Sequence, residues 1–114
     1  MKRLGMLLAA VAITLSLGAY SVAAAADAAA PNGQALFETY CASCHRGGGN
    51  IINPKKTLKA SDMKANGVTE PKHVVKLIRK PGPGMVAYDE KTLSNKDAKA
   101  IAEYVINTLG RTAR

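Results

Sequence analysis

Apolar residues recur along this chain at helical spacing, and no stretch alternates with the two-residue period of a strand. Leu36, Phe37 and Tyr40 follow Asn32 at that spacing, which predicts a first helix from about Gly33 into Cys41 with Asn32 as its cap. Ser61 with Asp62 predicts a short helix ending near Gly67. Thr69-Glu70-Pro71 predicts another running to about Arg79, since proline is accepted in a first turn. Within it Val74, Val75, Leu77 and Ile78 form the apolar part, and Lys72, Lys76 and Arg79 turn outward. Ser94 with Asp97 makes a capping box for a last helix to about Leu109, closed by Gly110, with Ala98, Ile101, Ala102, Val105 and Leu109 as its buried stripe. Gly47-Gly48-Gly49-Asn50 and Pro81-Gly82-Pro83-Gly84 break regular structure between these elements. With no internal repeat or long linker, the fold class is all-α.

The amino terminus follows a different rule. Lys2 and Arg3 precede an apolar run from Leu4 to about Leu17 and then small residues through Ala30, the layout of a secretory signal. A membrane span needs about 18 to 20 apolar residues. This run is shorter and ends in Ala-x-Ala sites, so cleavage is expected near Ala26, with an uncleaved anchor as the alternative. Residues 1–26 are then a signal peptide and residues 27–114 a single small domain. Such a domain needs a staple beyond its own apolar side chains, because Phe37, Tyr40, Tyr88 and Tyr104 are its only aromatics.

The formal net charge is +8, and the lysines are spread over Lys55, Lys56, Lys59, Lys64, Lys72, Lys76 and Lys80. On an exported protein that surface suits acidic protein partners or anionic membranes, or serves only as a solvated face. Nucleic acid is excluded by the compartment and by the scarcity of stacking aromatics.

Candidate chemistry concentrates in Cys41-Ala42-Ser43-Cys44-His45. Two thiols three residues apart with a histidine immediately after them are the attachment signature of a c-type haem. Both sulfurs lie on one turn of backbone, where they can form thioethers to the porphyrin vinyl groups, and the adjacent imidazole reaches the iron. A thioredoxin-like dithiol would need a βαβ setting. Structural zinc asks for four ligands, and His73 alone is left to complete the set. A plain disulfide leaves His45 without a role. Export agrees with haem, because covalent attachment is completed outside the bacterial cytoplasm. The three glycines after His45 would let the backbone approach the porphyrin, and Ile51 to Pro54 would wrap its edge.

Iron held by His45 has a sixth position, for which Met63, His73, Met85 or an open site are the candidates. Met85 is preferred because it emerges from a rigid Pro/Gly loop rather than from a helix. Met63 reads as a core residue, and His73 as an ordinary exposed histidine among lysines. A thioether is soft and favours Fe(II), so His/Met ligation raises the potential relative to bis-His ligation. A filled sixth site makes a one-electron carrier, whereas a labile one would make a haem enzyme or gas sensor.

The ordered set Cys41-Ala42-Ser43-Cys44-His45 with Gly47-Gly48-Gly49-Asn50, Lys56-Thr57-Leu58-Lys59, Met85-Val86-Ala87-Tyr88 and Ile101-Ala102-Glu103-Tyr104-Val105 resembles the class I c-type cytochromes, and among them the cytochrome c6 type, over nearly all of residues 31–114. The resemblance implies about four short helices wrapped round one haem c, the first and last crossing, with Gly33 and Phe37 packed on the C-terminal helix near Tyr104. It implies thioethers at Cys41 and Cys44 and axial ligands at His45 and Met85. It further implies a monomeric electron carrier, not an enzyme, that meets redox protein partners in the periplasm, or in the thylakoid lumen if photosynthetic, without stable membrane insertion.

Three departures stand out. Photosynthetic members usually read Met-Pro-Ala-Phe at Met85-Val86-Ala87-Tyr88, carry an arginine near Lys91, and place a glutamine where Leu77 falls. Loss of that polar contact is expected to lower the potential. With Lys80-Pro81-Gly82-Pro83-Gly84, these features are more similar to small periplasmic cytochromes of respiring bacteria.

Overall fold

A computed structural model describes residues 31–113, so the expected signal peptide lies outside the described residues. The order is α1 (Gly33–Tyr40), α2 (Ala42–His45), a 3-10 turn (Arg46–Gly48), α3 (Ala60–Ala65), α4 (Pro71–Arg79) and α5 (Asn95–Tyr104). From α5 the chain continues through a π-helical segment (Val105–Leu109) into a last turn, α6 (Gly110–Thr112). No strand occurs among the described residues.

Local chemistry accounts for most helix starts. The Asn32 side chain accepts a hydrogen bond from the Ala35 N–H at 3.1 Å, and Ser94 Oγ accepts one from the Asp97 N–H at 3.1 Å, each satisfying a donor that a helix N-terminus leaves unpaired. Pro71 opens α4 where its missing N–H costs nothing. The α3 start differs from expectation: the helix begins at Ala60 behind Lys59, not at Ser61. Thr57 sets that start, because its hydroxyl accepts from the Lys59 N–H and donates to the Asp62 carboxylate.

Helices α1 and α5 cross, and α5 also packs along α4. The crossing is tight because Gly33 has no side chain. A Cβ there would sit 2.8 Å from the Ala100 carbonyl carbon and 3.0 Å from Tyr104 Cβ. Below that contact Phe37 and Tyr104 pack with ring centroids 5.6 Å apart at 57°. The core consists of Phe37, Ala42, Met63, Val74, Ile78 and Leu93 with Ala98, Ile101 and Ala102 of α5 and Val105 and Leu109 of the π-helical segment.

Gly110 does not close the last helix. Its φ is −61°, in the helical range, and the helix continues to Thr112. Glycine is required there because Leu58 and Met63 press against it, with the Leu58 carbonyl oxygen 3.3 Å from where a Cβ would stand. Gly48 likewise has a role besides approach to a porphyrin. It takes φ +83°, and a Cβ on it would collide with Ala113 and touch Leu109, so the end of the C-terminal helix rests on this loop.

Candidate functional site

Helix α1 ends at Cys41, whose N–H donates to the Phe37 carbonyl at 2.8 Å. The backbone then restarts as α2, with the Cys44 and His45 N–H groups donating to the Cys41 carbonyl at 3.2 and 2.9 Å. That single turn carries all three residues of the motif. Both thiols are half-buried and unpaired. Burial pushes the Cys41 thiol up to about 11, the reverse of the lowered pKa that a nucleophilic dithiol requires.

His45 is oriented by its own loop. Its Nδ1 lies 2.8 Å from the Gly49 carbonyl oxygen. A carbonyl can only accept, so Nδ1 carries the proton and the Nε2 lone pair is left for a metal. Gly47 makes this return possible by adopting φ +63°.

Two loops flank the motif. Residues 50–56 are tied by Asn50, whose Oδ1 accepts from the Ile52 and Asn53 N–H groups at 2.9 Å each and whose Nδ2 donates to the Lys56 carbonyl at 2.8 Å. The Ile51 N–H donates to the Cys44 carbonyl at 3.1 Å, which joins this loop to α2. The second loop carries Met85. Gly84 takes φ +90° and lies so near Ile52 that a Cβ would be 3.0 Å from its Cγ2, so the two loops meet there. Tyr88 anchors the second loop: its hydroxyl donates to the Tyr40 carbonyl at 3.0 Å and its ring meets Tyr40 edge-on at 5.7 Å.

The other two ligand candidates are engaged elsewhere. Met63 is 5% exposed in the core. His73 Nδ1 accepts from the Thr69 N–H at 3.2 Å at the start of its own helix. Among the described residues no three His, Cys, Asp or Glu side chains gather as metal ligands, the arrangement a zinc site would need.

Arg79 does not simply turn outward, as the periodicity of α4 predicts. Its guanidinium donates to the Tyr88 carbonyl at 3.1 Å and to Asn95 Oδ1 at 2.9 Å. The Asn50 bonds were also missed, although an asparagine after a glycine run is a turn signal that could have revealed them. Lys72, one of the lysines spread over the surface, is paired with Glu70 at 2.9 Å.

These residues fit a covalently held porphyrin. One turn presents two unpaired thiols and an imidazole with one free nitrogen, and the two flanking loops carry large apolar side chains without burial, Ile51 at 71%, Val86 at 66% and Ile52 at 61% exposure, with Met85 less so. An apolar cluster of this kind is what a flat apolar cofactor would cover. Fold and site together define a small all-α c-type cytochrome domain.

Comparison with known proteins gives the family. Residues 28–105 match the family described as cytochrome c oxidase, cbb3-type, subunit III. Cytochrome c6 of a Synechocystis species is 40% identical over 81% of this chain and 72% of its own length. Cytochrome c6 of Rippkaea orientalis is 35% identical over 93% of each. The solved structure of OmcF, outer membrane cytochrome F of Geobacter sulfurreducens, superposes with a TM-score of 0.65 and 45% identity over 67% of this chain and 96% of that one. The chain belongs to the class I c-type cytochromes of the cytochrome c6 type, and it carries one covalently attached haem c. It is a small haem electron carrier with redox protein partners, not an enzyme.

Proposed function

We propose that Cys41 and Cys44 hold the haem through thioethers, that His45 and Met85 are its axial ligands, and that the protein shuttles single electrons in the periplasm as a monomer. The bound haem supplies the one-electron iron couple. The chain's own residues set how that couple behaves. The observation that carries the reading is the 2.8 Å bond from His45 Nδ1 to the Gly49 carbonyl, which fixes the tautomer and raises the basicity of the nitrogen facing the metal. A Met85 thioether opposite it favours the reduced state and closes the site to oxygen or peroxide chemistry.

Docking is assigned to acidic partners. The exposed Lys55, Lys56, Lys64, Lys76 and Lys80 supply steering charge for a short-lived contact. No helix of the described residues is long and apolar enough to cross a membrane. The segment Lys80-Pro81-Gly82-Pro83-Gly84, with the departures at Leu77, Val86, Tyr88 and Lys91, favours a respiratory chain over a photosynthetic one.

The test is the absorption spectrum of the holo-protein in both oxidation states. The oxidised form should show the weak sulfur-to-iron band towards the red end of the visible spectrum, and Met85→Ala should abolish it and lower the potential. Persistence of the band in Met85→Ala would overturn the assignment and turn attention to Met63.

A further inference from the structure

The loop that presents Met85 has almost no hold on Met85 itself. The Met85 N–H reaches the Gly82 carbonyl only at 3.5 Å. The hold begins three residues later, at Tyr88, where every backbone polar group and the side chain are engaged. The Tyr88 N–H donates to the Ile78 carbonyl at 2.9 Å, its carbonyl accepts from Arg79 at 3.1 Å, and its hydroxyl donates to the Tyr40 carbonyl at 3.0 Å. Arg79 in turn reaches Asn95 at 2.9 Å, so one guanidinium joins the end of α4, the ligand loop and the first turn of α5. Tyr40 immediately precedes Cys41, so the third bond references the loop to the turn that carries the thiols.

We propose that Arg79 and Tyr88 are positioning residues for the sixth ligand: they fix the loop at residue 88 and thereby limit how far Met85 can swing from the iron. The inference rests on the reading of Met85 as that ligand. Three residues span at most about 10 Å of extended chain. A fixed point that close confines a side chain with no bonds of its own, whereas release of Tyr88 frees the whole stretch back to the Pro81–Gly84 turn. Arg79 is suited to the task because its rigid planar fork serves two acceptors on different elements from two separate nitrogens, whereas a lysine would have to reach both from one. Tyr88 is suited because its hydroxyl makes the hydrogen bond to α1 while its ring packs edge-on against Tyr40.

The test is imidazole binding to oxidised holo-protein, followed by absorption at a temperature well below unfolding, in wild type, Arg79→Gln, Arg79→Lys, Tyr88→Phe and Met85→Ala. Imidazole must displace the native sixth ligand, so its apparent affinity reports how often that ligand is off. Arg79→Gln and Tyr88→Phe should each tighten imidazole binding by about tenfold, the factor carried by one lost hydrogen bond to a charged or half-buried group. Both should weaken the sulfur-to-iron band while leaving one haem per chain. Arg79→Lys should fall between wild type and Arg79→Gln. Unchanged imidazole affinity in both Arg79→Gln and Tyr88→Phe, beside a marked increase in Met85→Ala, would overturn the positioning role and leave Met85 as ligand. Wild type that binds imidazole as readily as Met85→Ala would instead overturn the ligand assignment beneath it. Should Arg79→Gln fail to accumulate, Tyr88→Phe alone decides, since it removes a single oxygen.

Discussion

Replacing Gly33 by alanine should cost this small protein a large part of its stability, even though Gly33 lies on the opposite end of α1 from the thiols. The new methyl would overlap the Ala100 carbonyl oxygen and stand 2.8 Å from its carbon and 3.0 Å from Tyr104 Cβ. Two of these neighbours are backbone, so no side chain can rotate away and the helices must separate. Overpacking of this kind costs about 1–3 kcal/mol. Separation also disturbs the Phe37–Tyr104 pair at 5.6 Å, whose geometry contributes roughly 0.5–1.5 kcal/mol. Helix propensity returns at most about 1 kcal/mol, and less in a first turn. The net expectation is destabilisation by about 2 kcal/mol. Urea unfolding of the oxidised holo-protein, followed by helical circular dichroism, should show a lower midpoint with an unchanged slope. Gly82→Ala is the matched control: a Cβ there meets nothing within 4 Å, and its effect should stay within about 0.5 kcal/mol or be slightly stabilising. Gly33→Ala as stable as Gly82→Ala would refute the close-approach account of the crossing.

Two further outcomes follow from the loops and from α4. Leu77→Gln restores a polar group where cytochrome c6 relatives of the photosynthetic type usually carry glutamine, and redox titration should show the potential rise; a contact that favours the reduced state by about 1 kcal/mol moves a one-electron couple by roughly 40 mV. No upward shift would count against the account of this position. Asn50→Ala removes three hydrogen bonds from residues 50–56 and should destabilise the protein by about 1–3 kcal/mol, with amide exchange at Ile52 and Asn53 accelerating first. Asn50→Asp keeps the acceptor for both N–H groups and should lose about half as much; equal losses would show that the Lys56 bond dominates.

What could be read directly from the chain was what local rules govern. Asn32, Ser94 and Pro71 mark helix starts by chemistry confined to the next few residues, and the spacing of Ala98, Ile101, Ala102, Val105 and Leu109 identifies a buried stripe that is 0–8% exposed. The haem motif is also local, since its three residues occupy one turn. The failures share an origin in partners distant along the chain. Gly110 satisfies the local rule for a helix terminator, yet its lack of a side chain is used by Leu58 and Met63. Arg79 falls on the polar face of α4 by periodicity, but its long stem lets the guanidinium return to Tyr88 and Asn95. Leu77, read as part of the apolar face, is 37% exposed where Val74 and Ile78 are 8% and 2%, so the buried face of α4 is narrower than its run of apolar residues.

The central claim is that Met85 sulfur and His45 imidazole grip one iron from opposite faces. The proton NMR spectrum of the reduced holo-protein tests it most directly, because a methionine methyl held over the porphyrin is carried far upfield of all others. One such methyl, assigned to Met85 and missing from Met85→Ala, is the expected result. A spectrum without an upfield methionine methyl, or one in which it survives in Met85→Ala, would contradict the account.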